Sequence, residues 1–312
     1  MNPPSVHARA SARTVGAALA LAAAALLTGW ALRSQFSQIG IAEVVAALEA
    51  QPLGHLLGAL GLTLVSFAAL ASYDLFGTSV VAPGRVAPHV ALLAGATANA
   101  ISNTLGFHAL TGSVVRARIY LDAGLSGAEA ARVVSLSWLA LGLGFLTMLA
   151  LAESVQPGAS PATGAAIGAC LLLFLGWLGG GPRELRIFRW RQTMPGARLA
   201  AWQMVVGAAE SAAAIGALYV LLPADLAPSF SHFAVGCIAA VALGLVAHVP
   251  GGIGVFEASI TALVSGAGRA DLLAALLLYR AIYNLLPFSL SVALLWLLAL
   301  RGRTLNSKAD TD

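Results

Sequence analysis

Arg280 stands in the run LLAALLLYRAIYNLLPF, about nine residues inside an apolar segment. A charge near the centre of a membrane helix costs roughly 2.5–3.5 kcal/mol on insertion scales, so it demands a partner or a watery cavity. Asn284 follows one turn later and Pro287 nearly one more, which puts all three on one helix face. The chemistry available there is contact with an anion or a lipid headgroup; the plainer alternative is an arginine satisfied by neighbouring carbonyls. Glu210 lies near the middle of another apolar stretch, with Gln203 two turns earlier on the same face. A bare carboxylate in lipid is costly, so Glu210 must either hold a proton or pair with an arginine. A proton-coupling site and a structural ion pair therefore both stand open. Asp74 follows SFAALASY at the end of a third stretch. It is expected to be interfacial and solvated by headgroup water, with proton coupling or an ion pair as the buried alternative.

Two glycine-bearing runs carry further chemistry. In HVPGGIGVFE, residues 248–257, Gly251, Gly252 and Gly254 follow a proline. They let the backbone turn tightly and approach a ligand, and the next helix aims its free N–H groups at the same spot. Such a terminus favours negative charge, either Glu257 in its first turn or a lipid phosphate. The plainer alternative is a loop that caps a helix. The companion run, NTLGFHALTGSVVR at residues 103–116, is followed by Arg118 and Tyr120. Asn103 and the Arg116/Arg118 pair beside a membrane break suit an anionic headgroup, because guanidinium grips phosphate bidentately. A basic loop would explain the arginines but not the amides and glycines at depth.

Other chemistries find no support. The six histidines are scattered without metal-type spacing, and the two cysteines, Cys170 and Cys237, sit in apolar stretches without CxxC spacing. No metal site, cofactor or redox pair is expected. The net charge of +4 comes from basic residues in short loops and tails, which is a membrane-topology pattern rather than a nucleic-acid footprint. No phosphate-binding loop for ATP is present.

The elements that must position these residues follow from composition. Of 312 residues, 59% are hydrophobic and 10% charged, too few charges to cover a water-soluble fold. Apolar windows fall near 14–32, 54–76, 88–107, 130–152, 160–180, 200–222, 231–249, 254–267 and 271–300. The expected fold is all-α: a polytopic transmembrane helical bundle of about eight crossings, with one or two broken or re-entrant helices. The breaks are expected in the third window, which holds Asn99, Ser102, Asn103, Thr104 and Gly106, and in the short eighth, which opens on PGGIG. Residues 14–32 are long enough for a retained helix rather than a cleaved signal. The organisation is a cytoplasmic tail at 1–13, one transmembrane domain at 14–300 and a cytoplasmic tail at 301–312. The arginines at 183, 186, 189, 191 and 198 place that loop, and with it both termini, in the cytoplasm of a bacterial-type inner membrane. RARIYLDAGLSGAEAARVVSLSWL from Arg116 and EASITALVSGAGRADLLAALLLYR from Glu257 align without a gap. Each follows a glycine-containing break, and such a faint repeat, where identity is low, resembles the paired broken helices seen in transporters.

SNTLGFHALTGSVVRARIY, PGGIGVFE and YRAIYNLLPF, in that order, resemble the lysylphosphatidylglycerol synthase transmembrane family, the group that includes the flippase region of the bacterial multiple peptide resistance factor. The resemblance implies a multi-helix domain that moves or handles a phospholipid, with Arg116, Glu257 and Arg280 at or near its cavity. Asp74 and Glu210 resemble intramembrane acidic positions of that family by location. The full-length synthases also carry a soluble aminoacyltransferase domain after the membrane region, and nothing past residue 300 is expected to supply it. The expected function is translocation of an anionic or aminoacylated phospholipid or a lipid-linked molecule, rather than catalysis. The alternative is a membrane enzyme or accessory subunit for glycosyl or aminoacyl transfer to a lipid-linked substrate. The partners implied are the lipid itself and, on the protein side, a second copy of the chain or a separate enzyme.

Overall fold

The computed structural model describes residues 40–309 apart from 107, 158–159, 181–182, 188–189, 247–251 and 253. The expected first crossing at 14–32 and Gly251 lie outside the described residues. Helix α1 spans Ile41–Glu49, α2 Leu53–Val81, α3 Pro88–Leu105, α4 His108–Asp122, α5 Gly127–Val155 and α6 Ala162–Gly179. A small antiparallel ribbon follows, β1 (Glu184–Ile187) against β2 (Trp190–Thr193), with Arg186 directly opposite Arg191. Then come α7 (Ala197–Tyr219), α8 (Phe230–Val246), α9 (Val255–Leu263), α10 (Ala270–Tyr279), a π-helical turn (Arg280–Leu285) and α11 (Leu286–Ala309).

Where eight crossings are expected, the described residues hold five helices long and apolar enough to cross a bilayer: α2, α5, α6, α7 and the rod Ala270–Leu300. Local chemistry sets their starts. Pro88 opens α3, where a missing N–H costs nothing. Ser126 and Glu129 form a reciprocal capping box at the start of α5. Solvent exposure is inverted relative to a soluble protein. Leu172, Leu173, Trp202, Leu290 and Trp296 face outward, whereas Ser66, Asp74, Gln203, Glu210 and Glu257 are buried. Lipid tails are as apolar as leucine, so the spans associate through close backbone packing rather than by hiding apolar surface. Gly144 of α5 and Gly207 of α7 illustrate this: a Cβ on Gly144 would lie 2.6 Å from the Gly207 Cα.

The remaining apolar helices fold as two hairpins. In the first, Gly112 on α4 lies against Ser102 on α3, and Tyr120 packs with Ala94. Residue numbers falling on α3 as they rise on α4 mean the limbs are antiparallel. The chain reverses between Gly106, whose φ of 75° suits glycine, and His108. In the second, Gly236 on α8 lies against Leu263 on α9, and Gly244 lies near Gly252, so these limbs are also antiparallel.

The two halves share one plan, run in opposite senses. Each is a span, a hairpin and a span: α2, α3–α4, α5, and then α7, α8–α9, the Ala270–Leu300 rod. Helix α2 is antiparallel to α5, with Asp74 on Ser137 and Gly77 beside Val133. It is antiparallel to α7 as well, with Gly58 near Val220, Leu62 near Gly216 and Ser66 on Glu210. It runs parallel to the rod, from Ala59 near Ala275 to Ser66 on Tyr283. The aligned stretches at Arg116 and Glu257 therefore occupy equivalent places in an inverted repeat. The hairpins enter from opposite faces, and their tips meet at the π turn.

Candidate functional site

Asp74 is fully buried, which corrects its expected place in interfacial water. Its position late in a long apolar run suggested the headgroup region, but α3, α4 and α5 close over that end of α2. Arg116 Nε donates to Oδ1 and Oδ2, each at 2.9 Å, Tyr120 Oη donates to Oδ1 at 2.7 Å, and Ser137 Oγ to Oδ2 at 3.3 Å. A buried charge persists only when paired and hydrogen-bonded, and this one is both. Arg116 engages Asp74 through Nε, leaving Nη1 and Nη2 without a hydrogen bond among the described residues. It lines a small cleft with Tyr73, Asn99, Ser102, Ser137, Trp138 and Leu141. The cleft has room for about 20 Å³ of water, against the roughly 10–15 Å³ one molecule needs. The Tyr73 hydroxyl on its wall is buried and has no partner among the described residues.

The second hairpin brings a carboxylate instead of a guanidinium. Glu257, 2% exposed, accepts from Arg280 at 2.6–2.7 Å on Oε1 and from the Gly254 N–H at 2.7 Å on Oε2. The acid of the PGGIGVFE run therefore fills its own helix terminus, one of the two occupants the sequence allowed. The Arg280 guanidinium also lies 5.7 Å from the Phe256 ring centroid, within cation–π range.

Both hairpin tips fasten to the same turn of the rod. Arg280 opens the π-helical segment and holds the second tip. Asn284, one turn on, holds the first: its Nδ2 donates to the Asn103 carbonyl at 3.2 Å, and Thr104 Oγ1 donates to the Asn284 carbonyl at 3.0 Å. The turn that carries both anchors is π-helical, a rare geometry that frequently marks functional sites. Arg280 and Asn284, expected to share a face, thus bridge the two halves.

Glu210 completes the set without an arginine. It is 4% exposed and makes no ion pair among the described residues. Ser66 Oγ donates to Oε1 at 2.9 Å, Ser211 Oγ to Oε2 at 3.2 Å, and Tyr283 Oη lies 3.4 Å from Oε1.

Arg118, expected beside Arg116, is not part of this arrangement. It is exposed and pairs with Asp122 one turn along α4, on the face turned from the hairpin contact. Sequence reasoning named Tyr120 without giving it a role and missed Ser66, Tyr73, Ser137 and Tyr283. Hydroxyl groups in apolar runs give no periodic signal. Their one cue was adjacency, since Tyr73 precedes Asp74 and Tyr283 precedes Asn284. No group of three or more His, Cys, Asp or Glu residues among those described comes together in a way that could hold a metal.

Ion pairs also close the base of each hairpin. Arg85, before the first, bonds Glu129 after it, and Asp225, before the second, bonds Arg269 after it at 2.8 Å. Hydrogen bonds from Arg269 hold the Asp225 carboxyl below the usual carboxylate range.

Comparison with known proteins agrees with this architecture. The family model described as the lysylphosphatidylglycerol synthase TM region matches residues 17–291. The uncharacterized protein slr0712 of Synechocystis sp. is 28% identical over 269 residues, covering 82% of this chain and 83% of that protein. The inner membrane protein YbhN of Escherichia coli is 27% identical over the same length and the same shares. With its apolar spans and this match, the chain is a multi-pass membrane protein that belongs to the lysylphosphatidylglycerol synthase TM region family.

Proposed function

We propose that this protein binds the phosphate of an anionic or aminoacylated phospholipid, or of a lipid-linked molecule, and carries that headgroup across the bilayer between its two hairpins. The observation that carries the reading is Arg116. Its charge is balanced by Asp74, yet among the described residues Nη1 and Nη2 make no hydrogen bond, beside a cleft where the Tyr73 hydroxyl also lacks a partner. Two donors of a guanidinium match two oxygens of a phosphodiester, and Tyr73 adds a third donor. The cleft is too small for a headgroup in this conformation, so entry requires the first hairpin to part from α5. The hairpins enter from opposite faces, giving a headgroup one half-path on each side, as in transporters built from inverted repeats. With the arginine-rich ribbon read as cytoplasmic by the positive-inside pattern, the first hairpin opens inward and the second outward.

Fluorescent phosphatidylglycerol reconstituted with the protein in liposomes tests this. Arg116→Lys keeps a cation beside Asp74 but removes the fork, and Tyr73→Phe removes one hydroxyl. Each is expected to slow translocation by about tenfold or more, the cost of a lost charge-assisted hydrogen bond. Wild-type rates in both variants would sink the assignment.

A further inference from the structure

Among the described residues three buried carboxylates occupy the bundle interior, and two of them are neutralised: Asp74 by Arg116 and Glu257 by Arg280. Glu210 has only hydroxyls around it. Its neighbours come from the middle of three spans, since Ser66, Glu210 and Tyr283 each fall in the central third of α2, α7 and the rod Ala270–Leu300. An unpaired carboxylate there has no counter-charge against its desolvation. The oxygens also touch one another too closely for a metal cation to sit among them. Ser66 Oγ is 2.9 Å from Glu210 Oε1 and 2.9 Å from Tyr283 Oη, which are hydrogen-bond contacts. A proton fits where a sodium ion does not.

The other titratable groups around Glu210 are tyrosines. From α2, the Tyr73 hydroxyl lies against Gly207, one turn before Glu210, and a Cβ there would come within 3.2 Å of it. From the rod, Tyr283 bonds directly, and Tyr279 stacks on Tyr283 at 5.1 Å. From α8, Cys237 packs in the neighbouring apolar cluster with Ile215 and Leu218. The facing stretch of α5 offers Ala140 and Gly144. The nearest charges are the two closed ion pairs, Asp74–Arg116 beyond Tyr73 and Glu257–Arg280 beyond Tyr279. Tyr73 thus stands between Glu210 and the Arg116 cleft, with its hydroxyl unpartnered among the described residues.

We propose that Glu210 is a proton-binding site at the centre of the bundle: it holds a proton in this conformation and exchanges it through Tyr73 and the cleft, so that lipid and proton move in one cycle. The carboxylic acid O–H, accepted by a neighbouring serine hydroxyl in the protonated form, breaks, the proton passes to water in the opened cleft, and a carboxylate remains that accepts from Ser66 and Ser211 while Tyr283 donates to Ser66. Once the cleft closes, the carboxylate takes a proton from water reaching it from the opposite face, so that each cycle carries one proton across. The coupling rests on the translocation reading above; the proton site itself does not.

Infrared difference spectroscopy of the reconstituted protein decides the site. At neutral pH a buried carboxylic-acid carbonyl band is expected, lost in Glu210→Gln and kept in Glu257→Gln. Glu210→Gln is expected to fold with an unshifted unfolding temperature, because the amide mimics the protonated acid. Should that variant not fold, Ser66→Ala and Tyr283→Phe must each shift the band. A spectrum in which Glu210→Gln removes a carboxylate band, or in which either hydroxyl variant leaves the acid band unmoved, overturns the site. Coupling is read from fluorescent phosphatidylglycerol movement under imposed gradients. A pH gradient is expected to speed the wild type several-fold and to leave Glu210→Gln unchanged. A sodium gradient that substitutes for it overturns coupling to protons. Absence of lipid movement in the wild type under any gradient overturns the translocation reading, and the infrared band then still stands or falls by itself.

Discussion

The two hairpins are built on one plan with the charges exchanged. In the first, the inner cation is on the hairpin and the acid on the preceding span; in the second, the acid is on the hairpin and the cation on the following span. The bases follow suit, with a cation before and an acid after the first, and the reverse at the second. Their surroundings differ too. The first is held by a polar knot in which Asp74 takes bonds from Arg116, Tyr120 and Ser137. The second rests on an apolar cluster that includes Phe233, Cys237 and Ile260, with one inner ion pair among the described residues. Polar bonds are directional and packed side chains slide, so parting the first hairpin from α5 must break defined hydrogen bonds, whereas the second hairpin rests mainly on contacts that can slide.

The sharpest way to break that contrast is Asp74→Ala. It leaves Arg116 buried without its counter-charge and is expected to cost about 3–5 kcal/mol, read as a large fall in the detergent unfolding temperature. Replacing both partners, Asp74→Leu with Arg116→Met, should recover much of it. Glu257→Gln should cost less, about 1.5–3 kcal/mol, because Arg280 keeps 11% exposure and its contact with Phe256. Equal losses at the two sites would erase the distinction between the hairpins. Thr104→Ala removes one bond between the first tip and the π turn and should cost about 0.5–1.5 kcal/mol. The smallest effect is expected at the second base. With the Asp225 carboxyl depressed by Arg269, its contribution is complete above the ordinary aspartate range and fades as the pH falls through the depressed value. Amide exchange around 223–229 should rise only under strong acid, and Asp225→Asn should abolish that dependence.

Much of this was written in the sequence. The apolar windows matched α2, α5, α6 and α7 closely, because a spanning helix must be a long apolar run. Both hairpin turns were legible from amides and glycines at a depth where only buried or hydrated backbone survives. The crossing number was less so, since an apolar run does not reveal whether it crosses or returns, and residues 231–267 return. Pairing was not legible either. Arg116 finds Asp74 across 42 positions and Arg280 finds Glu257 across 23, distances at which helix periodicity says nothing. That is why Asp74 read as solvated and Arg118 as Arg116's companion. The ribbon at Glu184–Thr193 was hidden in a loop whose arginines spoke only of sidedness.

The π turn at Arg280–Leu285 has a mechanical consequence. It stores one residue more than an α turn would, a small length of slack in the middle of an otherwise continuous rod. Taking up that slack winds α11 against α10 by about 100°, the rotation of one helical residue. Arg280 and Asn284 lie at opposite ends of it, so they cannot both keep their partners through that winding. A single twist of one helix therefore reaches both hairpin tips, one on each side of the bundle.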